Sequence, residues 1–290
     1  MMKSLYTGIT GVKANQTKLD VIGNNVANVG TTAFKKSTTR FADALYQTNS
    51  FTTGPSARYG GANSQQVGLG VSVSGIVRHG LQGSLQLTGR KTDLAMDGDG
   101  FFVVACGSGT PNDPFELSFT RDGSFALDKN NNLVTLDGYR VMGKDIDPLT
   151  GQPTGDLKPI VIPAEIGNNK VIDYTFSGDG NGVLTLILDD GTKINQTMLE
   201  VAVFTNTEGL SAIGNNRFVP SPNTSDPIFM TVEGDSALYG RVKQGVIEMS
   251  NVDLAEEFTE MIVTTRSFQS ASKVITTSDE LLQEIINLKR

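Results

Sequence analysis

The sequence predicts an α+β fold: long N- and C-terminal helices pairing in a coiled-coil-like core, with a mostly antiparallel, β-rich middle of one or two lobes. Two observations carry this. Apolar residues recur every seven positions at both ends of the chain, and between the ends the apolar period falls to two, broken by Gly, Asn and Asp.

At the N-terminus Leu5, Val12, Leu19 and Val26 are seven apart, with Ile9 in a companion row. This helix is expected over 1–30. Gly8, Gly11 and Gly23 interrupt it, each costing about 1 kcal/mol against alanine, so it needs a partner helix. The C-terminal segment, expected over 244–290, offers one. There Leu254, Met261, Phe268, Ile275 and Leu282 are seven apart, with Phe258 and Ile286 in the companion positions. Full burial of the five would contribute about 7–15 kcal/mol. Asn251 or Asp253 is placed to cap its start.

Charge supports the pairing. Residues 1–40 carry five lysines and Arg40 against Asp20, a net of +5, whereas 251–288 carry seven acids against Arg266 and Lys273, a net of −5. Opposite fields favour one partner and one orientation.

Residues 31–75 read as an extended connection with hairpin-like segments, and 48–66 have no clear period. Residues 76–145 and 206–243 form the expected β-rich middle domain, in which 118–143 gives three short strands punctuated by Asp122-Gly123, Asn130 to Asn132 and Asp137-Gly138. Residues 146–205 read as a small β insertion or second lobe, with VIDYTF, VLTLIL and INQTMLEVAVF separated by the polar turns SGDGNG and DDGT.

Composition and motifs speak against most chemistry. A net charge of −7 and a pI near 4.8 argue against nucleic-acid binding. The longest uncharged apolar run, Phe101 to Cys106, is too short to cross a membrane, and the N-terminus has no apolar stretch of the signal-peptide kind. His79 and Cys106 have no evident third member of a catalytic set, and Cys106 reads as a small buried hydrophobe. GVSVSG fails the nucleophile-elbow spacing, and GDGFFV and GDGNGV fail the phosphate-loop spacing. DKNNNLVTLDGY has Leu133 where a calcium loop needs glycine, and Tyr139 where it needs glutamate. No cofactor, no metal and no enzymatic activity are expected.

What remains is LDVIGNNVANVGTTAFKKS, residues 19–37, where Asn24, Asn25 and Asn28 crowd the end of a helix. Buried unpaired amides cost stability; they suit a place where they bond backbone, for example between stacked copies. Self-assembly and an ordinary monomeric domain are the two readings left open by spacing and composition.

The same stretch resembles the N-terminal signature of the bacterial flagellar rod and hook proteins, carried by Asn24, Asn25, Asn28, Thr31, Phe34 and Lys35. The family's glycine before the phenylalanine is Ala33 here. FADALYQT, QVGLGVSVSGI, GSLQLTGRKTDLAMDGDGFFVV, FTRDGSFALDKNNNLVTLDGYRVMG and the segment 244–288 resemble further family segments in family order. FADALYQT, the connection over 54–70 and the chain length bring it closest to the compact hook proteins of Gram-positive bacteria, with the distal rod protein as the alternative and a secreted monomeric adhesin as the reading from another class. The resemblance implies a homopolymeric tube, extracellular, with terminal helices lining an export channel. It also implies export by the flagellar type III apparatus without a cleaved signal, assembly under a hook cap, and contacts with the rod below and the hook–filament junction proteins above.

Overall fold

In a computed structural model, residues 2–55, 58, 60–107, 109, 114–147, 153–167, 169–176, 182–229 and 239–288 are described. Gly178 and Gly180 of the SGDGNG turn, and Lys289 and Arg290, lie outside them. The chain divides into two units. One comprises Met1–Val29, Lys36–His79 and Val252–Arg290; the other Gly30–Lys35 and Gly80–Asn251.

The first unit holds both helices, α1 (Met2–Ala27) and α2 (Leu254–Leu288). Asp253 caps α2: its carboxylate accepts the Ala255 N–H at 2.8 Å. The helix therefore starts ten residues later than the pattern suggested, because Val246–Glu248 is drawn into a strand against Leu85–Leu87. The helices contact each other antiparallel: the Ser4 and Ser278 hydroxyls meet at 3.3 Å near one end, and Asn25 bonds Glu257 near the other.

The glycines of α1 make this approach possible. A Cβ on Gly8 would lie 2.8 Å from Ile275 Cγ1 and 3.3 Å from the Ala271 carbonyl, and one on Gly11 would touch Ala271 at 3.4 Å. Gly23 faces open space, with nothing within 4 Å. Gly23→Ala is therefore expected to stabilise the protein by about 1 kcal/mol through helix propensity alone, read as a raised midpoint in chemical denaturation.

Two strand pairs complete this unit. Ser37–Asp43 runs antiparallel to Val71–Arg78, with a bulge at Arg40/Phe41. Tyr46–Ser50 pairs with Gln65–Gly68, and Thr53 bridges Ala62. Much of the apparently patternless connection is thus a hairpin. It shows no alternation because nearly every residue of both strands is exposed, so neither face selects apolar side chains.

The second unit is built on an antiparallel sheet whose central strand, Phe101–Cys106, is buried on both faces. Phe102 and Val104 join Leu94, Phe125, Leu133 and Leu184 on one side, while Val103 and Ala105 join Phe119, Met142 and Phe204 on the other. This explains the unbroken apolar run. Cys106, expected to be buried, is exposed: it ends the strand outside both clusters.

The strands within 146–205 do not close a sheet of their own. Lys193–Leu199 pairs with Arg140–Ile146, and Val201–Val203 pairs with Phe101–Cys106, so this segment extends the same sheet. Its apolar residues Leu184, Leu186 and Met198 belong to the common core. Between 118 and 143 the Asn131 and Asp137-Gly138 turns join paired strands, with Asn131 and Gly138 at φ of 59° and 85°. Gly123 serves another purpose: a Cβ there would lie 1.5 Å from the Leu94 carbonyl.

Candidate assembly site

The helix surfaces are the first part of the site. On α2 the residues buried within the chain are Glu257, Thr264 and Ser278, with Ala271 half-buried in the same heptad row. Met261, Phe268, Ile275 and Leu282 form the adjoining, half-buried row. On α1, Gly8, Ala14, Ile22 and Asn25 are buried, whereas Leu5, Ile9, Val12, Leu19 and Val26 are half-buried.

Three residues of the expected seam are not covered within the chain. Leu254, Phe258 and Ile286 are 39%, 49% and 65% exposed. A row seven apart can be completed by residues three or four positions away. The apolar character of Phe258 and Ile286 suggested one choice, and the chain uses the other. Thr264, Ala271 and Ser278 are small enough to let α2 lie against Gly8 and Gly11; bulky side chains would hold the helices apart.

The asparagine cluster bonds within the chain rather than waiting for a neighbouring copy. Asn25 acts as a two-sided clamp. Its Nδ2 donates to the Ser37 carbonyl at 2.8 Å and to Glu257 Oε2 at 3.1 Å, and its Oδ1 accepts the Ser37 N–H at 3.1 Å. Asn28 Nδ2 donates to the Asn24 carbonyl and to Asn24 Oδ1, both at 2.9 Å, covering the end of α1. Lys36 Nζ lies 2.8 Å from Glu256 Oε2 and 3.0 Å from Glu257 Oε1. Burial opposes the Lys36 charge, but its hydrogen bonds to Glu256 and Glu257 outweigh that and hold its pKa above the ordinary lysine range.

Lys35 serves the other unit. Its Nζ donates to Glu248 Oε1 at 2.6 Å and to the Leu81 carbonyl at 2.8 Å. Glu248 Oε1 also accepts the Gly83 N–H, and Oε2 accepts Arg121 Nε, both at 2.8 Å. Arg121 Nη2 reaches the Gly98 carbonyl. All three charged side chains are buried. Burial, and after it the Arg121 charge, pull the Lys35 pKa below the lysine range against the attraction of Glu248.

Around this triad the segment 30–35 is tied down by backbone. The Ala33 N–H donates to the Glu248 carbonyl at 2.9 Å, Asn251 N–H to the Phe34 carbonyl at 3.4 Å, and Asn216 Nδ2 to the Thr32 carbonyl at 2.7 Å. The Phe34 N–H closes a turn on the Thr31 carbonyl at 3.4 Å. Ala33 holds φ at 55°, so the left-handed turn is kept without a glycine.

Sequence reasoning found Asn25 and Lys35 but missed their partners Ser37, Glu248, Glu257 and Arg121. Glu248 gave a signal, as a charge set inside the apolar stretch VIEM, whereas Arg121, beside the Asp122-Gly123 turn, gave none.

Family models match three stretches, which contain Asn25, Lys35, Arg121, Glu248 and Glu257. They are the flagellar basal body rod protein over 5–35, the flagellar hook protein FlgE/F/G D1 domain over 95–195, and the flagellar basal body rod FlgEFG protein C-terminal over 243–288. The flagellar basal-body rod protein FlgG of Bacillus subtilis (strain 168) is 43% identical over 290 residues, covering the whole of both chains. The chain belongs to the flagellar rod and hook protein family. The FlgG rod protein of Borreliella burgdorferi is 36% identical over 296 residues, again end to end. The hook protein FlgE of that organism aligns at 27% over 450 residues, covering both chains completely.

This flagellar rod and hook family consists of structural proteins, not enzymes, that polymerise into the axial parts of the flagellum. No helix among the described residues of this member is long and apolar enough to cross a membrane.

Proposed function

We propose that this chain is the distal rod subunit of the flagellum, self-assembling into a tube that carries torque outward and encloses the export channel. The observation that carries the reading is the end-to-end 43% identity to a rod protein of the same extent, against 27% spread over 450 aligned positions for a hook protein. It favours the rod over the hook reading that the connection over 54–70 suggested.

The geometry supports polymerisation. The half-buried heptad rows of α1 and α2, and the exposed Phe258 and Ile286, leave apolar surface that neighbouring copies would cover in a coiled-coil-like inner core. In the Tyr46–Gly68 ribbon Phe51, between Ser50 and the Thr53–Ala62 bridge, is 79% exposed. A two-stranded ribbon open on both faces is marginal in water, and a neighbour gripping it would add a lateral contact suited to a stiff rod. In this reading the partners are other rod subunits, the hook above, an assembly cap and the type III export apparatus, and the location is the basal body outside the cytoplasmic membrane.

The test is the morphology of a strain lacking the gene. Basal bodies with truncated rods are expected; complete rods without hooks would return the assignment to the hook.

A further inference from the structure

Beyond the row that faces α1, α2 carries a second apolar stripe about a quarter-turn away. Val274, Leu281, Ile285 and Leu288 follow one another along it, with Val263 about three turns earlier beyond Ser270 and Ser267, and all five apolar residues are exposed, Leu281 by 51% and Leu288 by 85%. Lys273 and Glu280, seven residues apart, flank it on the side away from α1, and both are exposed. Neither has an ion pair with another described residue.

On α1 the side opposite to Gly8, Ile22 and Asn25 presents Tyr6, Lys13 and Asp20, also seven apart and exposed. Lys13 and Asp20 likewise lack ion-pair partners among the described residues, whereas Lys18, on the side of α1 that meets the chain's own α2, pairs with Glu260 at 3.2 Å.

We infer that the outer stripe of α1 in one copy docks antiparallel on the free stripe of α2 in the next copy. Laid so, Asp20 meets Lys273 of the neighbour, Lys13 meets its Glu280, and the Tyr6 ring falls on the end of the stripe at Leu288. The parallel arrangement would set Lys13 against Lys273 and Asp20 against Glu280, like charge on like, which the charge order rejects.

The register differs from the one within a chain. In-chain contacts join Ser4 to Ser278 and Asn25 to Glu257; the intermolecular pairs lie about eleven residues further along α2, an axial offset of about 16 Å. The two faces in contact are different and displaced, so the interface is heterologous and does not close on itself. Such a contact builds a filament rather than a dimer. Each α1 would be held between its own α2 and that of a neighbour.

This contact rests on the proposed polymerising function, and a mixing experiment separates the two. One variant carries Lys13→Glu and Asp20→Lys; the other carries Lys273→Asp and Glu280→Lys. Circular dichroism should show both folding as the parent does, since all four side chains are exposed. Each alone is expected to polymerise with a critical concentration raised about tenfold, from two attractive pairs turned repulsive. An equimolar mixture is expected to return close to the parent value, because each kind of chain then finds its complement on the other. Leu281→Ser, which alters no charge, should raise the critical concentration as well. Unimpaired assembly of either variant alone, or a mixture no better than its components, would overturn the contact while leaving the rod reading intact. Failure of the parent protein to form tubes would sink both.

Discussion

Glu248→Gln is expected to lower the stability of the β-rich unit by about 3–5 kcal/mol, measured as the unfolding free energy in denaturant. The carboxylate is fully buried between Lys35 Nζ at 2.6 Å and Arg121 Nε at 2.8 Å. Glutamine has nearly the same shape but no charge, so two buried cations would lose their counter-ion, and the amide cannot accept at both of its ends. Lys35→Met should cost less than half as much, because Glu248 then keeps Arg121 and the Gly83 N–H, and the site becomes neutral. Equal losses for the two substitutions would show that the ammonium, not the carboxylate, organises the triad. The residues joined here come from positions 35, 83, 121 and 248, so the loss should also loosen the segment 30–35 in hydrogen exchange.

Gly8→Leu is expected to cost about 3 kcal/mol, at the upper end for overpacking. A Cβ at this position already comes within 2.8 Å of Ile275 and 3.3 Å of a backbone oxygen, and a whole isobutyl group must push α1 and α2 apart. The Ser4–Ser278 contact is broken with it. Helical signal should survive in part, while thermal unfolding of the helical unit moves down and polymer formation is lost. The contrast with Gly23→Ala makes the point testable: in the same helix one glycine is required by a neighbour and another is a removable weakness. If Gly8→Leu left both stability and polymer yield unchanged, close approach of the helices would have no part in assembly.

The two glycines show where reading by sequence reaches its limit. Helix propensity treats Gly8, Gly11 and Gly23 alike, because it depends on the local backbone alone. Only a partner's position distinguishes them, and nothing near position 8 in the chain announces Ala271 or Ile275. The same holds for the seam. Leu254 and Met261 lie in one unbroken heptad row, yet the first is exposed, at 39%, and the second half-buried. Apolar character identified Phe258 as a companion to the row, whereas close packing chose Thr264, Ala271 and Ser278, whose merit is being small.

Other parts were readable because their causes are local or periodic. Asp253 caps α2 by a side chain two residues from the N–H it satisfies. The turns at Asn131 and Gly138 follow from residues that tolerate positive φ. Period two marked most of the strands in the middle of the chain, but not their neighbours, and so the segment 146–205 gave no sign that it would extend an existing sheet.

By itself the sequence determined two heptad-patterned helical ends, a turn-rich β middle, a charge opposition between the ends and a family motif around Asn25 and Lys35. The tertiary structure decided which helix face is closed, which strands adjoin, and that the motif's amides and lysines are consumed by Ser37, Glu248, Glu256 and Glu257 within the chain. The physical reason is range. Caps, turns and periodicity are set by residues a few positions apart, whereas close packing and the neutralisation of buried charge depend on groups more than two hundred residues away, which only the folded chain brings together.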